Sequence, residues 1–86
     1  MNNTVKVSTA EAIKLVNNGT EIFWETSDGY AKVKKRSKTE FKLTIYDEIK
    51  NNKHSLNGKM PELIKLLNDK NIANEIYIIE NKIKNK

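Results

Sequence analysis

Two acidic residues and a lysine are spaced in a way that could support metal-dependent cleavage of a phosphodiester. Asp28 is followed twelve residues later by Glu40-Phe41-Lys42. Two carboxylates of this kind can hold Mg²⁺ while the lysine supports the attacking water. However, Asp28 and Glu40 flank a predicted strand at 30–35, which separates them by roughly 20 Å at about 3.3 Å per residue. A small Mg²⁺-dependent nuclease is therefore only a remote alternative.

Other catalytic and metal-binding arrangements lack the necessary residue types. His54 is the only histidine, the chain has no cysteine, and it has three glycines. These counts exclude a metal site built from several histidines or from thiolates, and a glycine-rich phosphate loop. As a lone general base, His54 would need a nucleophile and an oxyanion site, and the sequence places neither. We therefore predict no catalytic residue, no metal ligand and no cofactor, and we expect a binding protein instead of an enzyme. His54 is predicted to be an exposed loop residue.

The positive charge of the chain is concentrated in one stretch. Residues 30–46 carry five lysines, one arginine and one glutamate, a net charge of +5 that equals the net charge of the whole chain. Such a local field attracts phosphate backbones or an acidic protein surface. Strand alternation gathers aromatic and basic side chains of this region, together with one aromatic from the preceding strand, onto one sheet face. The predicted members of that face are Phe23, Tyr30, Lys32, Lys34, Lys42, Thr44 and Tyr46.

Three interpretations of this basic-aromatic face remain open. It is a solvated lysine surface whose rings pack across strands, a contact surface for nucleic acid, or a docking surface for an acidic protein. Aromatic rings can stack on bases, and ammonium groups can neutralise phosphates. Lys35, Arg36 and Lys38, at the following turn, extend the positive field. A single arginine in the chain argues against base-specific recognition, which favours bidentate guanidinium contacts.

The elements that position this face are readable from local signals. Ser8 and Glu11 form a capping box at the start of a predicted helix at 9–18, and Pro61 suits the first turn of a second helix at 61–70. The intervening segments 20–26, 30–35 and 40–46 alternate as strands, with Asp28-Gly29 as a hairpin turn. Residues 4–7 are a candidate short strand. Residues 47–59 are polar and are predicted to be a loop, and residues 75–80 form a last strand.

The predicted fold class is therefore α+β. It has a three-stranded antiparallel meander plus a C-terminal strand, with two helices packed on one face, in the order α-β-β-β-α-β. The inward sheet face is predicted to hold Ile22, Trp24, Ala31, Val33, Phe41, Leu43 and Ile45.

One domain is expected at 1–81, followed by a basic C-terminal tail at 82–86, because a chain this short supplies a single core. No segment approaches the length of an apolar membrane span, so we expect a cytoplasmic protein that does not bind membranes. The last strand is apolar on both faces, which needs cover on both sides or a partner chain; a homodimer through this strand is one alternative.

The opening VSTAEAIKLVNNGTEI, at residues 7–22, resembles the start of many small bacteriophage and mobile-element proteins, in which a capped helix, a glycine and a strand follow one another. The resemblance implies the class of small accessory proteins that disable a host system, including inhibitors of CRISPR nucleases. It implies as partner a host protein of nucleic-acid metabolism or defence, bound by surface complementarity. Direct binding of single-stranded DNA or RNA through the basic-aromatic face is the alternative.

Overall fold

The computed structural model describes residues 4–79 of the chain. Its elements follow in the order β1 (Thr4–Val7), α1 (Thr9–Asn17), β2 (Ile22–Thr26), β3 (Gly29–Lys35), β4 (Glu40–Asp47), β5 (Asn52–Lys59), α2 (Met60–Asn68) and β6 (Ile76–Ile79). The α+β class is confirmed, but the sheet has six strands where four were predicted. The predicted tail at 82–86 lies outside the described residues.

Helix α1 begins and ends close to the predicted positions. The hydroxyl of Ser8 accepts a hydrogen bond from the backbone N–H of Glu11 at 3.1 Å, which satisfies one of the unpaired donors of the first turn. The chain leaves the helix through Gly19, whose φ of 95° lies in the left-handed region that glycine tolerates best. The short strand before this helix, β1, is present as predicted.

Helix α2 follows β5 without a loop. Pro61 occupies the first turn, and the Glu62 carboxylate accepts a hydrogen bond from the backbone N–H of Lys59 at 2.8 Å. Leu63 and Leu67 lie four residues apart on one face and are fully buried. The helix is therefore held by its apolar stripe and by a side-chain contact at its N-terminus.

The six strands lie in the order β1-β6-β2-β3-β4-β5, and every pairing is antiparallel. The predicted meander of β2, β3 and β4 is confirmed. Strand β6 lies between β1 and β2, so both of its edges are hydrogen-bonded within the chain. A homodimer that pairs along this strand would find no free edge, because the outer strands of the sheet are β1 and β5.

The prediction of a loop at 47–59 is wrong. Strand β5 pairs with β4 over eight residues, from Asp47 opposite Asn52 to Glu40 opposite Lys59. The Asp47 carboxylate accepts hydrogen bonds from two backbone N–H groups of the connecting turn, at 3.1 and 3.0 Å, and Asn51 has a φ of 57°. An edge strand of this kind needs no apolar face of its own, because the backbone of β4 supplies its hydrogen bonds.

Both helices pack on one face of the sheet, and the hydrophobic core lies between the helices and that face. The buried apolar residues are Val7, Ala12, Val16, Ile22, Trp24, Ala31, Val33, Phe41, Leu43, Leu63, Leu67, Ala73 and Ile76. The shortest dimension of the molecule, 21 Å, matches one sheet and one helix layer of about 10 Å each. Within residues 4–79, the other sheet face therefore carries no helix.

Ile45 departs from the predicted core. It lies on the helix-bearing side with Leu43, but 37% of its surface is exposed. Its neighbour on β5 is His54, which is also exposed as predicted. The helices thus do not extend over this end of β4 and β5.

Replacing a core isoleucine should cost far more stability than replacing an exposed one. Ile22→Ala should lower the free energy of unfolding by about 2–5 kcal/mol, because Ile22 is fully buried under the helices. Ile49→Ala should change it by less than about 0.5 kcal/mol, since Ile49 is 75% exposed in the β4–β5 turn. Urea denaturation measures both values. Equal losses for the two variants would contradict the placement of the core.

Candidate binding surface

The sheet face without helices gathers the predicted aromatic and basic side chains. Cross-strand partners share a face, and Phe23 lies opposite Lys32, which in turn lies opposite Thr44. The same register places Tyr30 opposite Tyr46 and Lys34 opposite Lys42. Strand β5 adds Lys53 and Ser55, opposite Tyr46 and Thr44. We call this surface the helix-free face; its members on β2–β5 are Phe23, Glu25, Tyr30, Lys32, Lys34, Lys42, Thr44, Tyr46, Lys53, Ser55 and Asn57.

A stacked tyrosine pair lies on this face near one end of the central strands β3 and β4. The rings of Tyr30 and Tyr46 have centroids 4.5 Å apart and planes inclined by 18°. The ammonium groups of Lys32 and Lys53 lie 5.5 and 5.9 Å from the Tyr46 centroid, within the range of a cation–π interaction. The Tyr46 ring thus packs against Tyr30 and lies near two ammonium groups, and we call the two tyrosines the tyrosine platform.

Gly29 permits the close approach of β3 and β4 beside this platform. A Cβ atom at Gly29 would collide with the backbone carbonyl oxygen of Tyr46. The Asp28-Gly29 turn therefore has a second role beyond closing the hairpin, because it lets the strands that carry Tyr30 and Tyr46 meet at their ends.

A second aromatic pair joins β2 to β6. Phe23 and Tyr77 lie opposite each other, with ring centroids 6.0 Å apart. The Tyr77 hydroxyl donates a hydrogen bond to the Glu75 carboxylate at 2.6 Å, and Lys6 lies 3.4 Å from the same carboxylate. The hydrogen bond from Tyr77, followed by the charge of Lys6, lowers the pKa of Glu75, and the same hydrogen bond raises the pKa of Tyr77.

A small depression opens between β3, β4 and β5. It has a volume of about 130 Å³. We call it the lysine depression; its lining residues are Glu21, Lys32, Lys34, Lys42, Thr44, Tyr46, Lys53 and Ser55. The Thr44 and Ser55 hydroxyl oxygens lie 3.1 Å apart at hydrogen-bonding distance, and Thr44 is 91% buried.

Most lysines of the depression have no acidic partner. Within residues 4–79, ion pairs involve Lys6, Lys32, Arg36 and Lys59, but not Lys34, Lys42 or Lys53. Lys34 and Lys42 are direct cross-strand neighbours, an arrangement in which like charges repel. The depression is therefore an electropositive site in which the lysine charges are only partly compensated.

Lys32 is the one lysine of the depression with an acidic neighbour. Its ammonium lies 3.7 Å from the Glu21 carboxylate. Partial burial lowers the pKa of Lys32, but Glu21 and the Tyr46 and Tyr30 hydroxyls outweigh that effect, so the pKa is raised overall. Lys32 therefore keeps its charge at neutral pH.

Three predicted surface residues lie outside the helix-free face. Lys35 is on the helix-bearing side, opposite the buried Phe41, and its ammonium donates a hydrogen bond to the carbonyl of Asn17 at 2.9 Å. There it stabilises the C-terminus of α1. Arg36 pairs with Glu40 at 3.0 Å in the β3–β4 turn, and Lys38 is exposed in the same turn. Only the last two extend the positive field at the end of the face.

The residues of the nuclease alternative are not brought together. Asp28 precedes β3 and Glu40 pairs beyond its far end, so the seven residues of β3 separate them by roughly 23 Å at about 3.3 Å each. Glu40 is also engaged by Arg36 and Lys59. Among residues 4–79, no three acidic or histidine side chains converge in a way that could hold a metal ion. In the same part of the chain, no helix has the length and apolar character needed to cross a membrane.

Sequence reasoning missed six residues of this surface: Glu21, Glu25, Lys53, Ser55, Asn57 and Tyr77. Lys53 and Ser55 fall in the segment that was predicted to be a loop, although their alternation with His54 and Leu56 was a weak strand signal. Tyr77 was predicted to lie in a strand, but its pairing with Phe23 depends on a contact between distant parts of the chain.

Removing the Tyr77 hydroxyl should change the ionisation of Glu75. In Tyr77→Phe the pKa of the Glu75 carboxyl should rise towards its ordinary value, because the hydrogen bond that favours the charged form is lost. Carbon-detected NMR titration of the glutamate side chains measures the shift. Tyr30→Phe is the matched control and should leave Glu75 unaltered. An unchanged Glu75 in Tyr77→Phe would show that this hydrogen bond is absent in solution.

Comparison with protein families, curated proteins and solved structures finds no match to this chain.

Proposed function

We propose that this chain is a non-catalytic binding protein, encoded by a phage or mobile element. In this proposal it uses the helix-free face to bind and inhibit a host protein that handles nucleic acid, such as a CRISPR-type defence nuclease. The observation that carries the binding role is a stacked tyrosine pair beside a depression that is lined by Lys34, Lys42 and Lys53, on the sheet face opposite the two helices. Within residues 4–79 these three lysines take part in no ion pair. The class of host partner comes from the resemblance of residues 7–22 to small phage proteins.

The uncompensated lysines favour an acidic partner surface. Lys34 and Lys42 repel each other across β3 and β4 in the free protein. A carboxylate or phosphate placed between them would remove this repulsion and add charge-assisted hydrogen bonds. An acidic partner would therefore lower the electrostatic free energy of this surface on binding.

The tyrosine pair supplies the apolar contact that lysines cannot provide. Tyrosine is enriched among the residues that dominate binding energy at protein interfaces, and a ring that is already packed loses little conformational freedom on binding. Tyr30 and Tyr46 are partly buried and held by each other, so they meet this condition before any partner arrives.

The acidic and basic side chains are distributed asymmetrically over the helix-free side of the sheet. Glu25 lies opposite Tyr30, and Glu75 lies beside Tyr77, both on the β2–β6 half. The lysines of this face that take part in no ion pair within residues 4–79 all lie on the β3–β5 half; they are Lys34, Lys42 and Lys53. A partner with the complementary order of charges would be oriented by this asymmetry, and electrostatic complementarity of this kind favours specificity and fast association.

Direct binding of single-stranded nucleic acid is the second candidate, favoured by the lysine depression. Base stacking on Tyr46 is disfavoured, because Tyr30 stacks on its ring and two ammonium groups lie near it. A nucleic acid would therefore be held mainly through its phosphates, without base recognition.

Reversing two charges on the helix-free face should abolish partner binding. The Lys34→Glu/Lys42→Glu double variant should capture no partner from a bacterial host lysate in an affinity pull-down that succeeds with the wild type. Lys14→Glu/Lys65→Glu makes the same charge change at exposed positions of α1 and α2, and it should capture the partner as the wild type does. Mass spectrometry identifies the captured protein.

Recovery of the same partner by the Lys34→Glu/Lys42→Glu variant would rule out the helix-free face as the contact. A salt titration of oligonucleotide binding separates the second candidate. If nucleic acid is the primary ligand, the affinity falls log-linearly with salt, with a slope that approaches the number of phosphates neutralised. If no oligonucleotide binds at low salt, the second candidate is excluded.

A further inference from the structure

We propose that the lysine depression is a binding site for a single phosphoryl group, presented by a strand of nucleic acid. The inference rests on the proposed function for its surface and adds the chemical group that enters it. In this reading, a host protein that handles nucleic acid offers two contacts, its own acidic surface and the phosphate of the strand that it carries.

The depression is large enough for only one small chemical group of a ligand. Pockets that enclose whole small-molecule ligands usually measure about 300–1,000 Å³, and this one measures about 130 Å³. A complete nucleotide would not fit inside it. A phosphoryl group can enter while the rest of the ligand remains outside on the face.

The lining charge suits a phosphate better than a carboxylate. Four lysines and one glutamate line the depression, which leaves a net charge of +3. A terminal phosphate monoester carries about −1.5 to −2 at neutral pH and offers three acceptor oxygens. Lysine binds phosphate as a compact point charge, whereas a planar carboxylate is matched best by the two-pronged arginine side chain. The depression contains no arginine.

The hydroxyl groups of Thr44 and Ser55 together provide one further hydrogen-bond donor to a ligand. The Thr44 and Ser55 hydroxyls carry one hydrogen each, and the bond between them uses one of the two. The second hydrogen is left for a ligand in the depression. Because Thr44 is 91% buried, its position in the wall is fixed by packing.

The surroundings of the depression favour a nucleic acid strand as the source of the phosphate. The face continues from Lys34 and Lys42 to the β3–β4 turn, where Arg36 and Lys38 lie. This run of basic residues can follow a chain that carries repeated phosphates. The crowding around the Tyr46 ring leaves the phosphate as the better contact than the base.

The test is a titration of the isolated wild-type chain with inorganic phosphate, followed through its backbone amides by NMR. Saturable shifts at Lys34, Lys42, Thr44 and Ser55, which chloride at equal ionic strength does not produce, support the proposal. The absence of saturable shifts at these residues overturns it. Lys34→Gln/Lys42→Gln should weaken phosphate binding at least about tenfold, since one hydrogen bond to a charged group is worth roughly a factor of ten. Lys14→Gln/Lys65→Gln is the charge-matched control and should bind as the wild type does.

Two single variants test the wall of the depression. Ser55→Ala removes a hydroxyl without altering charge and should weaken phosphate binding several-fold. Glu21→Gln removes the one acid and should strengthen it, whereas Glu11→Gln on α1 makes the same change at a distance and should have a smaller effect. The proposal is overturned if Ser55→Ala binds phosphate as tightly as the wild type, or if the two glutamate variants have equal effects. Either result would show that phosphate is attracted by the overall positive charge and not by a specific site.

The source of the phosphate is tested with three probes. A 5′-phosphorylated single-stranded oligonucleotide should bind more tightly than the same strand with a 5′-hydroxyl, and both should shift the same amides. A phosphoserine peptide that binds more tightly than either strand would overturn the assignment to nucleic acid. No partner protein is present in these titrations, so they can fail while the charge-reversal pull-down still succeeds. The inference and the proposed function therefore fail separately.

Discussion

Each of the two helices has nine residues and an axis of about 14 Å, whereas six strands at about 4.8 Å extend roughly 24 Å across the sheet. Two helices of about 10 Å diameter, side by side, can cover one face of such a sheet and nothing more. The molecule follows this constraint, because both helices pack on the same side and bury Trp24, Ile22 and Val33 there. The side chains of the opposite face must therefore be compatible with solvent and must also shield the backbone of the strands that carry them.

Tyrosine and lysine meet both demands at once. Their apolar parts lie along the strands, and their polar ends reach the solvent. The rings of Tyr30 and Tyr46 stack on each other across β3 and β4, and the ammonium groups of two lysines lie near them. The same side chains leave a positive surface with uncompensated charges, so the solution to a folding problem also creates a surface suited to anions. The binding role that we propose depends on this coincidence of structural and electrostatic needs.

The fold could be predicted where its signals are local. Ser8, Glu11 and Pro61 mark helix ends within one turn, and Asp28-Gly29 marks a hairpin. Strand β5 could not be predicted in this way, since the pairing with β4 that holds it is formed by backbone groups and not by an apolar pattern of its own. The insertion of β6 between β1 and β2 joins the two ends of the chain, and no short-range pattern encodes it.

The candidate surface was predictable to the same extent. Alternation correctly placed Tyr30, Lys32 and Lys34 on one face, and the same alternation places Lys35 on the other, where it caps α1. Lys35 was counted with the positive field because charge was summed along the chain without following strand parity. Lys53 was missed because β5, the strand that carries it, was predicted to be a loop. The wall of the lysine depression that β5 forms was missed for the same reason.

The central claim is that the face without helices is exposed and electropositive. A negatively charged nitroxide in solution tests this most directly, because it enhances the relaxation of nearby protons, with a neutral nitroxide as the control for exposure alone. We expect stronger enhancement by the anionic probe, relative to the neutral one, for the side chains of Lys34, Lys42 and Lys53 than for those of Lys14 and Lys65 on the helices. Equal ratios for the two groups, or protection of Lys34 and Lys42 from both probes, would contradict it.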